Sequence, residues 1–317
     1  MRLVFGSAGF GFVFVGADAS RLAVLISPLR LMDSDILRVP VGPGSLHVER
    51  YGQGGNSVIL LHGFGTCSFL WRGVAPILAE NGFCAYAVDM LGYGESDRPF
   101  GGDFSVAAQS AYLEIALATL RAGRSTVAGI DIGGGVAQRL AVERPERVGW
   151  LALINSVGFD QWPSDDTKIV QRGTARFALR VSRGMLGVAP LLTPVLEGSV
   201  GDPAHMPTKL VARYLAPYVG NEGVTHLLAL AAALDERDLE TLQVGEISCP
   251  TLVVRGEEDR WLDDGVAERL HLSIKDSRIV RLPGVGRLVP EDAPEMLAAL
   301  LMELTRISGP RQAVAVD

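Results

Sequence analysis

Apolar residues along this chain follow two alternating rhythms. Short runs of β-branched and small residues recur at Ser57 to Leu61, Cys84 to Val88, Ser125 to Ile130, Val148 to Asn155, Cys249 to Gly256 and Arg278 to Leu282. Each has the length and composition of a buried strand. Between such runs apolar positions fall at helical spacing, as at Leu70, Trp71, Val74, Ile77 and Leu78, a pattern that stops at Asn81-Gly82. Residues 36–50 alternate about Gly42, Pro43 and Gly44, which predicts a hairpin ahead of the first strand–helix unit. Strands alternating with helices predict an α/β fold, a mostly parallel sheet with helices on both faces.

The sharpest local pattern lies at S-T-V-A-G-I-D-I-G-G-G-V-A-Q-R-L, residues 125–140. Gly129 and Gly133 flank Asp131 at two-residue distance, and Val136, Ala137, Leu140 and Ala141 then take up helical spacing. This is a G-x-S-x-G strand–turn–helix pattern with aspartate in the serine position. A turn this tight leaves no room for side chains on either side, so glycine is needed there. The central residue stands above the sheet at the positive end of the following helix, where a carboxylate stays ionised. The competing reading is an aspartate that ends a strand and caps a helix.

Composition narrows the function classes. At 317 residues and 48% hydrophobic content, the chain can bury the core of one α/β domain carrying an insertion. A net charge of −7 without a basic run argues against nucleic acid as a partner. Cys67, Cys84 and Cys249 are scattered, with neither metal-ligand spacing nor a disulfide framework, which suits the reducing cytoplasm. An apolar run from Leu3 to Gly16 follows Arg2, and Ala17-Asp18-Ala19 has the small-x-small look of a cleavage site. Secretion is therefore the alternative to a cytoplasmic location, and Met32 is an alternative start. The run is too short to span a bilayer, so no membrane partner is expected.

Several segments in order carry a family resemblance: His62-Gly63-Phe64-Gly65, the D-M-L-G-Y-G-E-S-D-R-P stretch from Asp89, the Asp131 elbow and the P-E-R-V-x-x-L-A-L-I-N strand. Together they resemble the α/β-hydrolase superfamily from about Ile36 to Ile307. The elbow aspartate is closest to epoxide hydrolases and haloalkane dehalogenases, although Ile130 stands where histidine usually precedes the nucleophile. The dehalogenases usually place Asn after His-Gly and Trp after the nucleophile; Phe64 and Ile132 hold those places, so halide chemistry is not expected.

The resemblance implies a division of the chain: an N-terminal apolar extension over 1–35, a core over 36–157 and 242–309, a helical lid over 158–241, and a tail over 310–317. It also implies roles. Asp131 would attack an electrophilic carbon to give an ester on the enzyme, and the N–H groups of Phe64 and Ile132 would hold the oxyanion. Asp259, in the turn after Gly256, would orient the catalytic histidine. Helical patterns at Ile169–Leu186, Pro207–Tyr218 and Val224–Leu234 would build the lid, with Trp162, Tyr214 and Tyr218 facing substrate. Tyr214 and Tyr218 are four apart, on one helix face, with Pro217 between them as a candidate kink. The competing reading of both is packing between lid and core.

The last motif departs from the family. After the strand ending at Leu282, the loop Pro283-Gly284-Val285-Gly286 leads to Arg287 where histidine belongs. Arginine stays protonated at any usable pH and cannot take a proton from water. Its charge and fork geometry suit a bridge to Asp131, Asp259 or both. Three readings follow: an epoxide-hydrolase-like enzyme in which His62 is recruited to activate water, a pocket repurposed for non-hydrolytic ring opening, cyclisation, isomerisation or elimination, and an inactive paralogue that binds a hydrophobic small molecule. The Leu-, Val- and Ala-rich lid implies an apolar or bulky small-molecule substrate. No cofactor or metal is implied, since no G-x-G-x-x-G follows the first strand and no acidic-His cluster exists. Association into a homo-oligomer is left open.

Overall fold

The structure, a computed structural model, describes residues 34–160, 162–181, 187–235 and 237–306. The apolar run, the alternative start at Met32, the tail and the end of the Ile169–Leu186 pattern lie outside the described residues. Eight strands appear: β1 (Asp35–Pro40), β2 (Ser45–Tyr51), β3 (Ser57–Leu61), β4 (Cys84–Val88), β5 (Ser125–Asp131), β6 (Val148–Ser156), β7 (Thr251–Gly256) and β8 (Ser277–Leu282). They form one sheet in the order β1-β2-β4-β3-β5-β6-β7-β8.

The hairpin predicted about Gly42 is β1 and β2, closed by the Val41 N–H donating to the Gly44 carbonyl at 2.8 Å. β2 pairs antiparallel with β4, and every pairing from β4 across to β8 is parallel. Parallel strands need helical crossovers, which cover both faces of the sheet. That is why β5 is buried along its whole length and carries no alternation. Burying side chains such as Val127 and Ile130, both fully inaccessible, contributes roughly 1.5–3 kcal/mol each.

The strand order fixes where a site can form. The chain leaves β3 toward β4 on one side, then crosses back so that β5 lies on the other side of β3. Connections diverge at this switch point and leave a crevice at the carboxyl ends of β3 and β5. The loop beginning His62-Gly63-Phe64 emerges from one strand and Asp131 ends the other, so the topology alone brings these segments together.

Helical segments differ in detail from the patterns that predicted them. The stretch around Leu70 to Leu78 divides into a tight 3-10 segment, Ser68–Gly73, and a helix, Ala75–Glu80. Pro76 lacks an N–H and fits only the first turn of a helix, so the continuous helix cannot pass through it. The Ile169 pattern begins earlier and breaks at Arg172, between helices Asp165–Gln171 and Gly173–Val181. Pro207 precedes the helix Thr208–Leu215, and Pro217 sits in a following 3-10 turn, Ala216–Tyr218. The Val224 pattern extends back to give Gly220–Ala232. Between β6 and β7 the described residues contain helices and turns but no strand.

Candidate active site

Asp131 has φ 54° and ψ −121°, a backbone conformation that non-glycine residues rarely adopt. Such strain costs roughly 1–3 kcal/mol and persists only where the surroundings enforce it. Here they do. A Cβ on Gly129 would lie 2.1 Å from the Gly133 carbonyl oxygen, and one on Gly133 would lie 2.5 Å from that of His62. The two flanking glycines are therefore steric requirements of the turn, as the G-x-D-x-G pattern implies.

The turn delivers the Asp131 carboxylate to the crevice, only 2% of the residue being exposed. Its Oδ2 accepts the Phe64 N–H at 2.7 Å. Ile132, the first residue of the helix Ile132–Glu143, follows immediately, so its N–H belongs to the set a helix start leaves without intrahelical partners. Phe64 and Ile132 thus stand on either side of the carboxylate in the chain positions the resemblance implied.

Arg287 Nη2 lies 2.6 Å from the other carboxylate oxygen, Asp131 Oδ1. The guanidinium is as buried as its partner, with 3% of Arg287 exposed, and Nη2 also donates to Ser164 Oγ at 3.0 Å. The loop that carries it is pinned from the sheet. Asn155 Nδ2, at the end of β6, donates to the Gly286 and Arg287 carbonyls at 3.0 Å each. Its Oδ1 accepts the Gly256 N–H at 3.0 Å, tying the same loop to the end of β7. Arg287 is thus held in place through its backbone, by a side chain with no donor or acceptor left idle on its amide.

Asp259 reaches the same edge, because the Glu258 N–H donates to Val285 in the Arg287 loop at 2.9 Å. Its carboxylate, however, is engaged from its own loop: Oδ2 stands 3.1 Å from Arg255 Nη1 and Oδ1 accepts the Trp261 N–H at 2.9 Å. Of the two bridges open to Arg287 in the sequence, the short one is to Asp131.

Three of the expected site residues are engaged by the fold itself. His62 is fully buried, with Nδ1 2.8 Å from the Gly63 carbonyl and Nε2 accepting the Met90 N–H at 3.1 Å. Burial pushes its pKa below the ordinary value. A neutral ring with both nitrogens committed to backbone holds the turn and is not free to bind substrate or activate water. Tyr214 is also committed: its hydroxyl donates to Glu291, which Arg72 clamps through two contacts of 2.7 and 2.6 Å. Trp162, with no exposed surface, gives its indole N–H to the Asp235 carbonyl at 2.7 Å, and so packs the helical segment together. Tyr218, by contrast, is 1% exposed, and burial lifts its phenol well above the usual tyrosine range.

Ser164, Asn155 and Arg255 were not legible as parts of the site. Ser164 sits in an irregular entry to a helix, where no spacing marks it. Asn155 and Arg255 did carry a signal, since a polar residue at the end of an otherwise apolar strand has to find partners there. Among the described residues no group of three His, Cys, Asp or Glu side chains is arranged to hold a metal ion. No helix among them is long and apolar enough to cross a membrane.

A parallel sheet with an antiparallel lead hairpin, an acid on a strained strand–helix elbow and loops meeting at the switch point define an α/β hydrolase. The chain belongs to the family described as the alpha/beta hydrolase fold, which matches residues 56–294. It is 26% identical over 268 residues to the uncharacterized hydrolase YugF of Bacillus subtilis, covering 84% of this chain and 96% of that one. Haloalkane dehalogenase 2 of Mycobacterium tuberculosis is likewise 26% identical, over 275 residues, covering 82% of this chain and 91% of the relative. Among solved structures, the epoxide hydrolase CorEH superposes with a TM-score of 0.71 at 19% identity, covering 86% of this chain and 99% of that one. Cfl2 from Burkholderia cenocepacia gives 0.73 at 23% identity, with coverage of 86% and 96%. These structural likenesses speak for the fold.

Proposed function

We propose that this α/β hydrolase is an enzyme of epoxide-hydrolase-like ancestry that acts on an apolar or bulky small molecule without hydrolysing it. One observation carries this reading: Arg287 occupies the histidine position and stands 2.6 Å from Asp131 Oδ1, the oxygen left for chemistry once the Phe64 N–H has taken Oδ2. A guanidinium there lowers the negative charge available for attack on carbon and cannot activate water. It suits Asp131 as a general base or charge stabiliser and Arg287 as the electrophilic partner. Ring opening by a group within the substrate, cyclisation, isomerisation and elimination all fit, because none needs an activated water or an ester on the enzyme. The helices over 158–241 would act as a lid, and their aliphatic side chains would favour an apolar guest. No cofactor is called on.

A second reading keeps the pocket and drops the turnover. The ion pair favours it, since a buried carboxylate held by a guanidinium is a poor nucleophile. The protein would then bind a hydrophobic small molecule.

The test is to incubate the wild-type protein with a panel of apolar epoxides in heavy-oxygen water, following products and the mass of the peptide containing Asp131. The expected result is products isomeric with their substrates, with neither an adduct nor heavy oxygen in the Asp131 carboxylate. An ester on that peptide, or label entering it over turnovers, would restore the hydrolytic route. Tight binding without any product would establish the second reading.

A further inference from the structure

Tyr93 lies in the D-M-L-G-Y-G-E-S-D stretch and has no assigned part in the site. Its ring is 1% exposed, and its hydroxyl, wholly buried, has no hydrogen-bond partner among the described residues. A buried hydroxyl left without a partner costs stability, so such a group calls for an explanation. The ring packs edge-on to His62 at 5.0 Å between centroids, and the next residue, Gly63, lies directly against the Asp131 carboxylate: a Cβ there would fall 2.9 Å from Asp131 Oδ2. Burial raises the phenol well above the usual tyrosine range, and Tyr218 and Asp131 are the charged or ionisable neighbours that add to the effect. The group is therefore a neutral O–H beside the elbow, unspent on the protein. Tyr214, the residue expected beside Tyr218, has its hydroxyl bound to Glu291 instead.

We propose that Tyr93 donates a hydrogen bond to an oxygen atom of the bound ligand. This rests on the reading of the Asp131–Arg287 crevice as a small-molecule site. The ligand class it selects is an apolar molecule with one accepting oxygen, an epoxide, ether or ketone, placed against the elbow. A neutral phenol offers its proton to an accepting oxygen. No proton need leave Tyr93.

The probes are trans-stilbene oxide and trans-stilbene, alike in shape and differing by one acceptor oxygen. Wild-type protein should bind the oxide about tenfold more tightly than the alkene, and Tyr93→Phe should remove that preference by weakening the oxide alone. Thermal melting of the unliganded protein supplies the second measurement. Deleting an unpartnered hydroxyl should leave the melting temperature unchanged or raise it, whereas a lowered one would mean the hydroxyl serves the fold. Three results overturn the donor: an undiminished oxide preference in Tyr93→Phe, equal weakening of both probes, or a lowered melting temperature. Wild-type protein binding neither probe would instead refute the small-molecule reading of the crevice, and the donor with it.

Discussion

Arg287 Nη2 and Asp131 Oδ1 are 2.6 Å apart in a site where both residues are almost fully buried. Bringing two charges out of water costs several kcal/mol, which their attraction offsets only while both are present. Removing one takes away the buried counter-ion of the other. Asp131→Asn should therefore lower unfolding free energy by roughly 3–5 kcal/mol, besides abolishing any turnover. The double variant Asp131→Asn, Arg287→Gln should recover part of the loss. Denaturant titration of the wild type, both single variants and the double variant checks it. A double variant as unstable as the sum of the singles would mean the two side chains do not act as a pair.

Tyr214 tests whether a tyrosine in the segment between β6 and β7 serves substrate or fold. Its hydroxyl donates to the Glu291 carboxylate, held on the other side by Arg72. A hydrogen bond to a charged group is worth about 1.5–3 kcal/mol. Tyr214→Phe should lose roughly that much stability while leaving KM for any substrate within about twofold. A change in KM with stability intact would return Tyr214 to the site.

The fold and the partners of its side chains were not equally legible in the chain. The fold was legible because strand and helix rhythms differ and because the glycines around Asp131 have a steric cause that sequence spacing exposes. Asp131, Phe64, Ile132 and Arg287 followed from segments whose order is tied to the topology. The partners of each side chain were not legible. The bridge from Arg287 to Asp131 depends on a loop and an edge that Arg255 and Asn155 help to fix, and these lie 32 and 132 positions away in the chain and meet the loop only through the sheet. Tyr214 and Tyr218 share a spacing that predicts one helix face, yet the helix ends at Leu215 and the two phenols part company. His62 reads in the sequence as a residue that pins the H-G turn as well as a recruit for water activation, and its two backbone hydrogen bonds fit the first of these.

His62 gives the turn after β3 a pH limit. Its Nε2 accepts the Met90 N–H, so protonation would set a donor against a donor. Burial holds the folded-state pKa below the ordinary 6.5, which the unfolded chain retains. Between the two values the unfolded state binds a proton that the folded state does not. The contribution is therefore complete above 6.5 and is lost as pH falls toward the folded value. Melting temperatures of wild type and His62→Gln across that range should show a steeper acid decline in the wild type. Parallel curves would mean the ring titrates freely.

Arg287→His asks whether the ancestral base can be put back. Histidine there needs Asp259 to orient it, and that carboxylate is shared between Arg255 and the Trp261 N–H. Its affinity for an imidazole is thus already partly spent. The substitution also removes the counter-ion that stands against Asp131 Oδ1. The nucleophile recovers more fully than the base does. Arg287→His should therefore abolish the non-hydrolytic turnover proposed for the wild type and, given a reactive apolar epoxide, form the ester on Asp131 faster than it hydrolyses it. The adduct should build up on the elbow peptide by mass spectrometry, with product released slowly. Adding Arg255→Leu should remove one competitor for Asp259 and speed release by roughly tenfold or more, within the range a positioned general base supplies. Fast, label-incorporating hydrolysis by Arg287→His alone would show that Asp259 was available throughout and that the arginine was the only block. No adduct and no product in either variant would count against Asp131 as a nucleophile held in check, and would favour the binding protein.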